Sequence, residues 1–436
     1  MNLAEKILAK ASGRKSVEPG EIVIANVDRL LMHDLSGYLT GEVYEKRVGR
    51  PIPHPERAVM VFDHHFSPPT ERQAEVLKAN RAWARKHGIN LFDCGNGNLH
   101  HAAVRNGFIK PGMIVVGSDS HTPVHGALGA LAMALGNDSH AGTVLPYGKA
   151  WFKVPETVRI ELHGTPRPGT TARDIALWLV AEIGEGELNY AAVEFAGPYI
   201  KGSDFWDRWL FPLLCVDLGA KCSYVEPDEV TEAFVRTLPG GLPEELPRGD
   251  GDGREAATVL RYDVGDVVPL VACPPTVGNI KPVDEVAGKP VLWAELGGHG
   301  GGRLEDIRVA AKILSGHRVH PGTRFNIVPS SREVFAEALR EGLVLELHEA
   351  GANFFPPSTG SNQAINMGAM ASGEAMISTH SRNFPGRNGS SEAEMYLASA
   401  ATVAASAIAG EIAPERASER AGKSAGQAGR NDGSSK

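Results

Sequence analysis

The sequence predicts an α/β protein with mainly parallel sheets and more than one domain. Short apolar runs such as "GMIVVGSDS", "VLWAEL" and "RFNIVPS" resemble buried strands, and polar loops and helical patterns follow them. Strand, loop and helix in this order are typical of parallel α/β folds, whose sites form at the carboxyl ends of the strands. A chain of 436 residues is also too long for one ordinary core.

The composition excludes several classes of protein. Hydrophobic residues make up 42% and charged residues 22% of the chain, and the net charge is -8. This balance is normal for a globular protein and disfavours nucleic-acid binding. No apolar run is long enough to span a bilayer, and the start lacks a secretory core, so we expect a cytoplasmic protein without membrane contact. The scattered Cys94, Cys215, Cys222 and Cys273 do not suggest a disulfide framework.

Local patterns give the elements and their boundaries. Leu3, Ile7 and Leu8 would share one face of an amphipathic first helix. Ser330 and Glu333 fit a capping box before a later helix. We place soft boundaries near residues 155 and 285. The predicted organisation is a first domain at 1–155, a second at 156–285, a third at 286–410 and a disordered tail at 411–436.

Histidines and carboxylates cluster in four places after apolar runs. A carboxylate beside an imidazole can fix its tautomer and raise its basicity, which serves proton transfer. A pocket rich in histidine can also bind Zn or Fe, and no local signature such as H-E-x-x-H decides between these uses. The clusters are His33 and Asp34 in "LMHDLSG", Asp63, His64 and His65 in "VFDHHFSPP", His100 and His101 in "FDCGNGNLHH", and Asp119, Ser120, His121 and His125 in "VGSDSHTPVHG".

Two loops near the carboxyl end have other chemistry. Arg382 and Arg387 flank a Pro-Gly turn in "ISTHSRNFPGRNGSSE", and two guanidiniums suit a substrate with several carboxylates. A solvated surface loop is the alternative. In "ELGGHGGGRLED" five glycines surround His299, without the ending of a nucleotide P-loop or a dinucleotide fingerprint. That loop is therefore either a structural turn or part of another kind of site.

Several of these motifs together resemble the aconitase superfamily, in particular the large subunit of isopropylmalate isomerase. The similarity rests on "VFDHH", "GNGNLHHAAVRNGFIKPGMIVVGSDSHTPVHGALGALAMALG", "GGRLEDIRVAAKIL" and "STHSRNFPGRNG", in the family order, over residues 1–410. The resemblance implies three α/β/α domains of aconitase type, with the swivelling fourth domain on a separate small subunit. It also implies reversible dehydration and hydration of a small hydroxy di- or tricarboxylate.

The resemblance also assigns roles to individual residues. Asp217 stands where the family has a glutamate and is one methylene shorter, while Leu213 and Ser381 stand where it has asparagines. The carried-over catalytic residues are Asp63, His64, His100, Asp119, His121 and Asp217, and the carried-over substrate-binding residues are His33, Ser120, Arg382 and Arg387.

The chain departs from the family at the cofactor. The family holds a 4Fe–4S cluster with three cysteine thiolates, and the matching positions here are His299, Thr359 and Asn362. Thr and Asn are poor ligands for a cluster that depends on thiolates, so we expect no 4Fe–4S cluster. A mononuclear Fe or Zn ion held by His299 and neighbouring histidines is one alternative, and metal-free chemistry is the other.

These observations predict a lyase, namely a cluster-free hydro-lyase or isomerase that uses His and Asp as acids and bases. Its partners would be a small polycarboxylate substrate and a small subunit that carries the swivelling domain. The competing hypothesis is a non-catalytic binding or regulatory homologue. A third reading is an ordinary cluster enzyme with unexpected ligands. Retention of the acid, base and arginine positions favours the enzyme.

Overall fold

A computed structural model describes residues 1–250 and 258–415. It confirms the α/β fold class, because parallel strands alternate with helices along both parts of the chain. The chain forms two compact units, which we call unit 1 (1–167 with 178–267) and unit 2 (168–177 with 268 onward). The three-domain division at residues 155 and 285 stays a prediction. Residues 416–436 of the expected tail lie outside the described residues.

The strands are short and mostly buried, as the apolar runs predict. In the described residues they are β1 (Ile22–Asn26), β2 (Arg29–His33), β3 (Ala58–Val61), β4 (Asn90–Phe92), β5 (Ile114–Gly117), β6 (Leu131–Ala134), β7 (Lys149–Lys153), β8 (Thr157–His163), β9 (Ala192–Ala196), β10 (Cys222–Val225), β11 (Thr258–Asp263), β12 (Leu270–Ala272), β13 (Ile280–Pro282), β14 (Trp293–Leu296), β15 (Arg324–Ile327), β16 (Asn353–Phe354), β17 (Ala375–Ser378) and β18 (Glu394–Ala398).

The helices range from single turns to the 17-residue α3. No helix in the described ranges is both long and apolar enough to cross a membrane. The helices are α1 (Leu3–Ser12), α2 (Asp34–Arg47), α3 (Glu71–His87), α4 (Leu99–Arg105), α5 (Asn137–Ser139), α6 (Leu145–Tyr147), α7 (Ala172–Ile183), α8 (Pro198–Gly202), α9 (Phe205–Arg208), α10 (Leu210–Leu214), α11 (Glu229–Arg236), α12 (Val283–Val286), α13 (Leu304–Leu314), α14 (Arg332–Arg340), α15 (Leu343–Glu349) and α16 (Ala400–Ala409).

Capping explains where several helices begin. Asn2 caps α1 and forms a capping box with Glu5, and the buried face of α1 includes the predicted Leu3, Ile7 and Leu8. The predicted cap of α14 is wrong by one residue. Ser331, rather than Ser330, caps this helix, because the Ser331 side chain accepts from the N–H of Val334.

Unit 1 contains a five-stranded sheet that gathers the histidine clusters. Its order is β4-β3-β2-β5-β6, and every neighbouring pair is parallel. Strand β2 therefore lies between β3 and β5, and the residues that follow these three strands emerge at the same edge. That edge carries His33 at the end of β2, Asp63 and His64 after β3, and Asp119 after β5. The prediction that the polar motifs follow parallel strands agrees with this placement.

A second parallel sheet of unit 1, with the order β10-β9-β8-β11, packs against the segment that follows His121. This segment, Thr122–Leu128, is a short 3-10 helix. At Gly126 an added Cβ would lie 1.6 Å from the carbonyl oxygen of Ser223 on β10. Because two backbones touch here, only glycine fits, and the contact fixes the segment that follows the Asp119 loop. A two-stranded antiparallel pair, β1 with β7, completes the sheets described in unit 1.

Unit 2 is built on one seven-stranded sheet. The order is β13-β12-β18-β17-β14-β15-β16, and the five strands from β18 to β16 are parallel to one another. Strand β12 pairs antiparallel with β13 and with β18. The loops after β14, β16 and β17 therefore emerge at one edge. These loops carry His299, Thr359 and Arg382, respectively.

Replacing Gly126 tests the contact between the two backbones. Gly126→Ala should lower the free energy of unfolding by about 3 kcal/mol, because the new methyl group would displace backbone rather than a flexible side chain. Gly142→Ala is the matched control, since an added Cβ there meets nothing within 4 Å. Urea unfolding of both variants measures the difference. Equal stabilities for the two variants would show that the contact is not close.

Candidate active site

Asp34 organises the histidine edge of unit 1. Its side chain is 0% exposed at the start of α2. Oδ1 accepts from the backbone N–H groups of Asp63 (3.3 Å) and His64 (3.0 Å), and Oδ2 accepts from that of His65 (2.8 Å). Burial alone would raise the pKa of Asp34, but the His65 side chain, whose Nδ1 lies 3.0 Å from Oδ2, and the charge of His64 hold the pKa well below its ordinary value. The sequence pairs Asp34 with His33 but assigns it no role.

Asp63 and His64 form a buried ion pair in the turn after β3. The His64 Nδ1 lies 2.8 Å from Asp63 Oδ1, and Asp63 Oδ2 accepts from the N–H of Leu99 at 2.8 Å. Burial lowers the pKa of His64, but the charge and hydrogen bond of Asp63 outweigh it and raise the pKa to about 9. His64 is therefore an imidazolium near neutral pH, which makes it a proton donor.

His33 is the neutral neighbour of this imidazolium. Its ring centroid lies 4.4 Å from that of His64, and its Nδ1 accepts from the backbone N–H of Ser36 at 3.5 Å, at the start of α2. Burial and the adjacent charge of His64 both lower the pKa of His33. Two neighbouring titratable groups whose pKa values are pushed apart are typical of acid–base sites.

Asp119 joins the histidines of the other two motifs. Its Oδ1 accepts from the backbone N–H of His121 at 2.7 Å, and it lies 3.2 Å from His121 Nδ1 and 3.1 Å from His100 Nε2. His100 Nδ1 lies 3.2 Å from Nε2 of His125. Burial, and then the charge of His100, hold the pKa of His125 far below its ordinary value. A neutral His125 that donates to His100 would leave the other His100 nitrogen to donate to Asp119.

The two remaining predicted residues of unit 1 differ in their placement. Ser120 belongs to the group around Asp119, since its Oγ lies 3.4 Å from Nδ1 of His121. Asp217 lies in the turn after α10, where its carbonyl accepts from the N–H of Gly186 at 3.0 Å. Its catalytic assignment stays a prediction. His125, by contrast, belongs to the quoted motif but was not assigned a role, and only the fold shows that its ring reaches His100.

One group of unit 1 side chains has the chemistry of a metal site. Ligand atoms of His33, Asp34, Asp63 and His64 all lie within 4.8 Å of one another. However, both Asp34 oxygens already accept from backbone N–H groups. A metal also requires a neutral imidazole, whereas the raised pKa of His64 favours its proton. The group is therefore better suited to holding a proton than a cation.

In unit 2 the last two glycines of "GGHGGG", Gly301 and Gly302, are required by packing. An added Cβ at Gly301 would lie 1.8 Å from Oγ1 of Thr379, and one at Gly302 would lie 2.0 Å from the carbonyl oxygen of Val328. Gly302 also has φ +70°, which favours glycine. Close packing alone therefore explains why Gly301 and Gly302 are glycines. His299, which is 2% exposed, lies in this tightly packed loop.

Glu295 ties the loops of unit 2 together. It is 0% exposed within β14. Its Oε1 accepts from the N–H and the hydroxyl of Ser361 at 3.0 and 3.1 Å, and it lies 2.8 Å from Nε2 of His380. Glu295 and His380 were not among the site residues predicted from the sequence. The available signal was a single carboxylate inside the otherwise apolar strand "WAEL".

The arginine loop is held by Asn362, which stands at a position predicted to match a cluster cysteine of the family. Nη2 of Arg387 donates to Oδ1 of Asn362 at 2.5 Å, and the Arg387 guanidinium lies 5.3 Å from the ring centre of Phe384. Arg382 is partly buried in the same loop, and Thr359 is fully buried. Asn362, one of the three replacements, therefore orients a predicted substrate-binding arginine.

Arg173 is a third residue of unit 2 that the sequence did not reveal. From the first turn of α7, Nη2 donates to the carbonyl of Gly300 at 2.6 Å and Nη1 to that of His380 at 3.1 Å. Burial lowers the pKa of Arg173 to about 10, so the side chain remains charged near neutral pH. It joins the glycine loop to the arginine loop from a distant part of the chain.

The residues at the three cluster positions do not fit a 4Fe–4S cluster. They offer an imidazole, a hydroxyl and an amide in place of thiolates, and the Asn362 amide oxygen already accepts from Arg387. The four cysteines lie in other segments. Burial raises the thiol pKa of each of them, to about 12 for Cys94 and Cys222, which opposes the thiolate form that iron requires.

The pH dependence of stability tests the protonation state of His64. Its folded pKa of about 9 exceeds its ordinary value of 6.5, so its stabilisation is complete below 6.5 and is lost as the pH rises through 9. The free energy of unfolding should fall across that window by up to about 3 kcal/mol in the wild type. This fall should be absent from His64→Gln and present in the exposed control His54→Gln. Urea unfolding at several pH values measures it, and parallel curves for wild type and His64→Gln would contradict the assignment.

Comparisons with known proteins agree with this architecture. The sequence profile of the aconitase family (aconitate hydratase) matches residues 5–290 and 271–410. The 3-isopropylmalate dehydratase large subunit 1 of Methanopyrus kandleri is 40% identical over 407 residues, covering 93% of this chain and 96% of that protein. The probable methanogen homoaconitase large subunit of Methanothermobacter thermautotrophicus is 39% identical over 411 residues, covering 93% and 95%.

A solved structure shows the same fold at much lower sequence identity. The crystal structure of Thermococcus kodakaraensis aconitase X in its holo-form superposes with a TM-score of 0.50 at 12% identity, covering 87% of this chain and 88% of that one. At this identity the likeness concerns the fold alone. The sequence matches extend over nearly all of the chain and of the relatives, which confirms the expected resemblance: this chain belongs to the aconitase family.

Proposed function

We propose that this chain is a lyase that removes water from, or adds it to, a small hydroxy di- or tricarboxylate or a related biosynthetic intermediate, without a 4Fe–4S cluster. The observation that carries this proposal is the pair His64 and His33. His64 is buried, His33 is partly buried, and their adjacent imidazoles have pKa values displaced in opposite directions, that of His64 to about 9. Membership of the aconitase family supports the hydro-lyase class.

The residues of unit 1 supply proton transfer. Loss of water requires one group that takes a proton from carbon and another that protonates the departing hydroxyl. His64 holds a proton near neutral pH and is oriented by Asp63, so we assign it the donor role. The chain of Asp119, His100 and His125 can accept a proton and stabilise it through the Asp119 carboxylate. His121 shares that carboxylate.

Substrate recognition is assigned to the arginine loop of unit 2. Guanidiniums bind carboxylates through two parallel hydrogen bonds, and Arg387 is already oriented by Asn362. We assign carboxylate binding to Arg387 and Arg382. Ser120 and His33 remain proposed substrate contacts in unit 1.

The absence of a cluster is inferred from the side chains at its three positions. His299, Thr359 and Asn362 supply no thiolate, so protonation by His64 would assist departure of the hydroxyl group. A single Fe or Zn ion bound by His299 is the alternative, in which a Lewis acid would assist the same departure.

A second chain is part of the proposal. The relatives named above are large subunits. We infer that a small subunit carrying a swivelling domain joins this chain to complete the enzyme.

An activity and metal assay tests the function. Protein purified without oxygen, alone and with the small subunit encoded nearest to it, should consume 3-isopropylmalate or homocitrate with a rise in the ultraviolet absorbance of the conjugated alkene. His64→Gln should lower kcat at least about 100-fold, as expected for loss of a proton-transfer group. Iron and sulfide should stay far below stoichiometric amounts.

The other outcomes separate the alternatives. Stoichiometric iron and sulfide would reject the cluster-free enzyme. One equivalent of Fe or Zn that is lost in His299→Ala would replace metal-free chemistry by the single-ion version. Tight binding of these acids without turnover, in the presence of the small subunit, would favour a non-catalytic binding homologue.

Substitution of the oriented arginine tests recognition. Arg387→Lys should weaken binding of tricarballylate, a non-reactive tricarboxylate, about tenfold, because lysine keeps the charge but loses the paired hydrogen bonds. Arg308→Lys is the control, since Arg308 forms an exposed ion pair with Glu341 on the surface of unit 2. Isothermal titration calorimetry measures both. Unchanged binding in Arg387→Lys would remove this residue from the site.

A further inference from the structure

Three loops of unit 2 converge on one buried carboxylate. They are residues 297–302 after β14, 355–362 after β16 and 379–388 after β17, and together they contain His299, Thr359, Asn362, Arg382 and Arg387. We call Glu295, Ser361, His380 and Asn388 the Glu295 hub. We propose that Glu295 is a positioning residue that, through this hub, holds the three loops in place of a cluster and thereby sets the carboxylate-binding arginines. The arginine part rests on the proposed function.

The hydrogen bonds of Glu295 reach two loops directly. One oxygen, Oε1, serves the backbone N–H and hydroxyl of Ser361 in the second loop and the His380 imidazole in the third. The first loop begins two residues after Glu295. Thr379 joins it to the third loop. The Thr379 hydroxyl accepts from the N–H of Gly297 at 2.9 Å and donates to the Gly297 carbonyl oxygen at 3.0 Å.

The hub is connected to Arg387 by two adjacent pairs of residues. Asn388 donates from Nδ2 to Oγ of Ser361 at 3.1 Å, and its Oδ1 accepts from the N–H of Ala364 at 3.0 Å. Next to this pair, Arg387 donates to Asn362 at 2.5 Å. Residues 387 and 388 are thus clamped to residues 361 and 362, and Ser361 is the residue that Glu295 holds. Loss of Glu295 should therefore release the arginine side chain.

The local packing shows that the chain is built around this carboxylate. An added Cβ at Gly360 would lie 2.4 Å from Glu295 Oε1, so the backbone of the second loop lies directly on the acid. A buried carboxylate is costly unless hydrogen bonds satisfy it, and removing it leaves its former donors unsatisfied. The Ser361 donors and the His380 imidazole all meet Oε1, so removal of Glu295 would take this acceptor from both residues.

The Glu295 hub joins loops that an iron–sulfur cluster would join in other members of the family. A cluster bound at positions 299, 359 and 362 would join the first loop to the second through metal–thiolate bonds. The residues at those positions do not supply such bonds. The Glu295 hub, with Arg173 donating to the carbonyls of Gly300 and His380, joins the same loops by hydrogen bonds.

Hydrogen exchange tests the hub without any ligand. In Glu295→Ala, amides in all three loops should exchange at least about tenfold faster than in the wild type, and Glu295→Gln, which keeps one acceptor oxygen, should be intermediate. Leu347→Ala is the control for stability, because Leu347 is buried in the core of unit 2 on α15. Faster exchange that is confined to β14 in Glu295→Ala would overturn the proposal. Equal exchange rates of the three loops in Glu295→Ala and Leu347→Ala would overturn it as well.

Calorimetry with tricarballylate tests the effect on the arginines. Glu295→Ala should weaken binding at least about tenfold, whereas Leu347→Ala should bind within about twofold of the wild type. Equal binding by the wild type and Glu295→Ala would overturn the positioning role and leave the proposed function intact. No binding by the wild type, with the small subunit present, would reject the proposed carboxylate site, while the exchange experiment still decides whether the hub holds the loops.

Discussion

The hydrogen bond from a backbone N–H to a buried carboxylate is the interaction on which both clusters of loops depend. Loops at the carboxyl ends of parallel strands have no ladder partners, so other groups must satisfy their N–H donors. Asp34 accepts three such bonds from residues 63–65, and Glu295 accepts one from Ser361. Each carboxylate also faces a histidine, His64 or His380. Each buried carboxylate therefore both fixes the backbone of a loop and positions an imidazole.

The same arrangement determines the chemistry of unit 1. Because Asp34 and Asp63 surround His64 with negative charge, its pKa rises despite burial, and its positive charge then lowers the pKa of His33. The proton on His64 is thus stabilised by the two neighbouring carboxylates. In unit 2, Asn362 stands at one of the three positions predicted to match the family's cluster cysteines, and it orients Arg387.

Much of this could be predicted from the sequence, since apolar runs mark the strands and the polar motifs follow them. The proximity of His33, Asp63 and His64 follows from the parallel order of β3, β2 and β5, which sequence order alone does not give. Contacts across long separations could not be predicted. Arg173 reaches a loop 127 residues away, and Glu295 meets His380 across 85 residues. The cap of α14 was displaced by one residue because two serines stand side by side.

Hydrogen bonds around Glu295, rather than an iron–sulfur cluster, are proposed to hold the loops of unit 2. The most direct measurement is an anomalous difference map at the iron edge, from crystals grown without oxygen from cells supplied with iron. We predict no iron beside residues 299, 359 and 362, and a distance near 2.8 Å between Glu295 Oε1 and His380 Nε2. Four iron peaks in that space, with Glu295 turned away from His380, would contradict it.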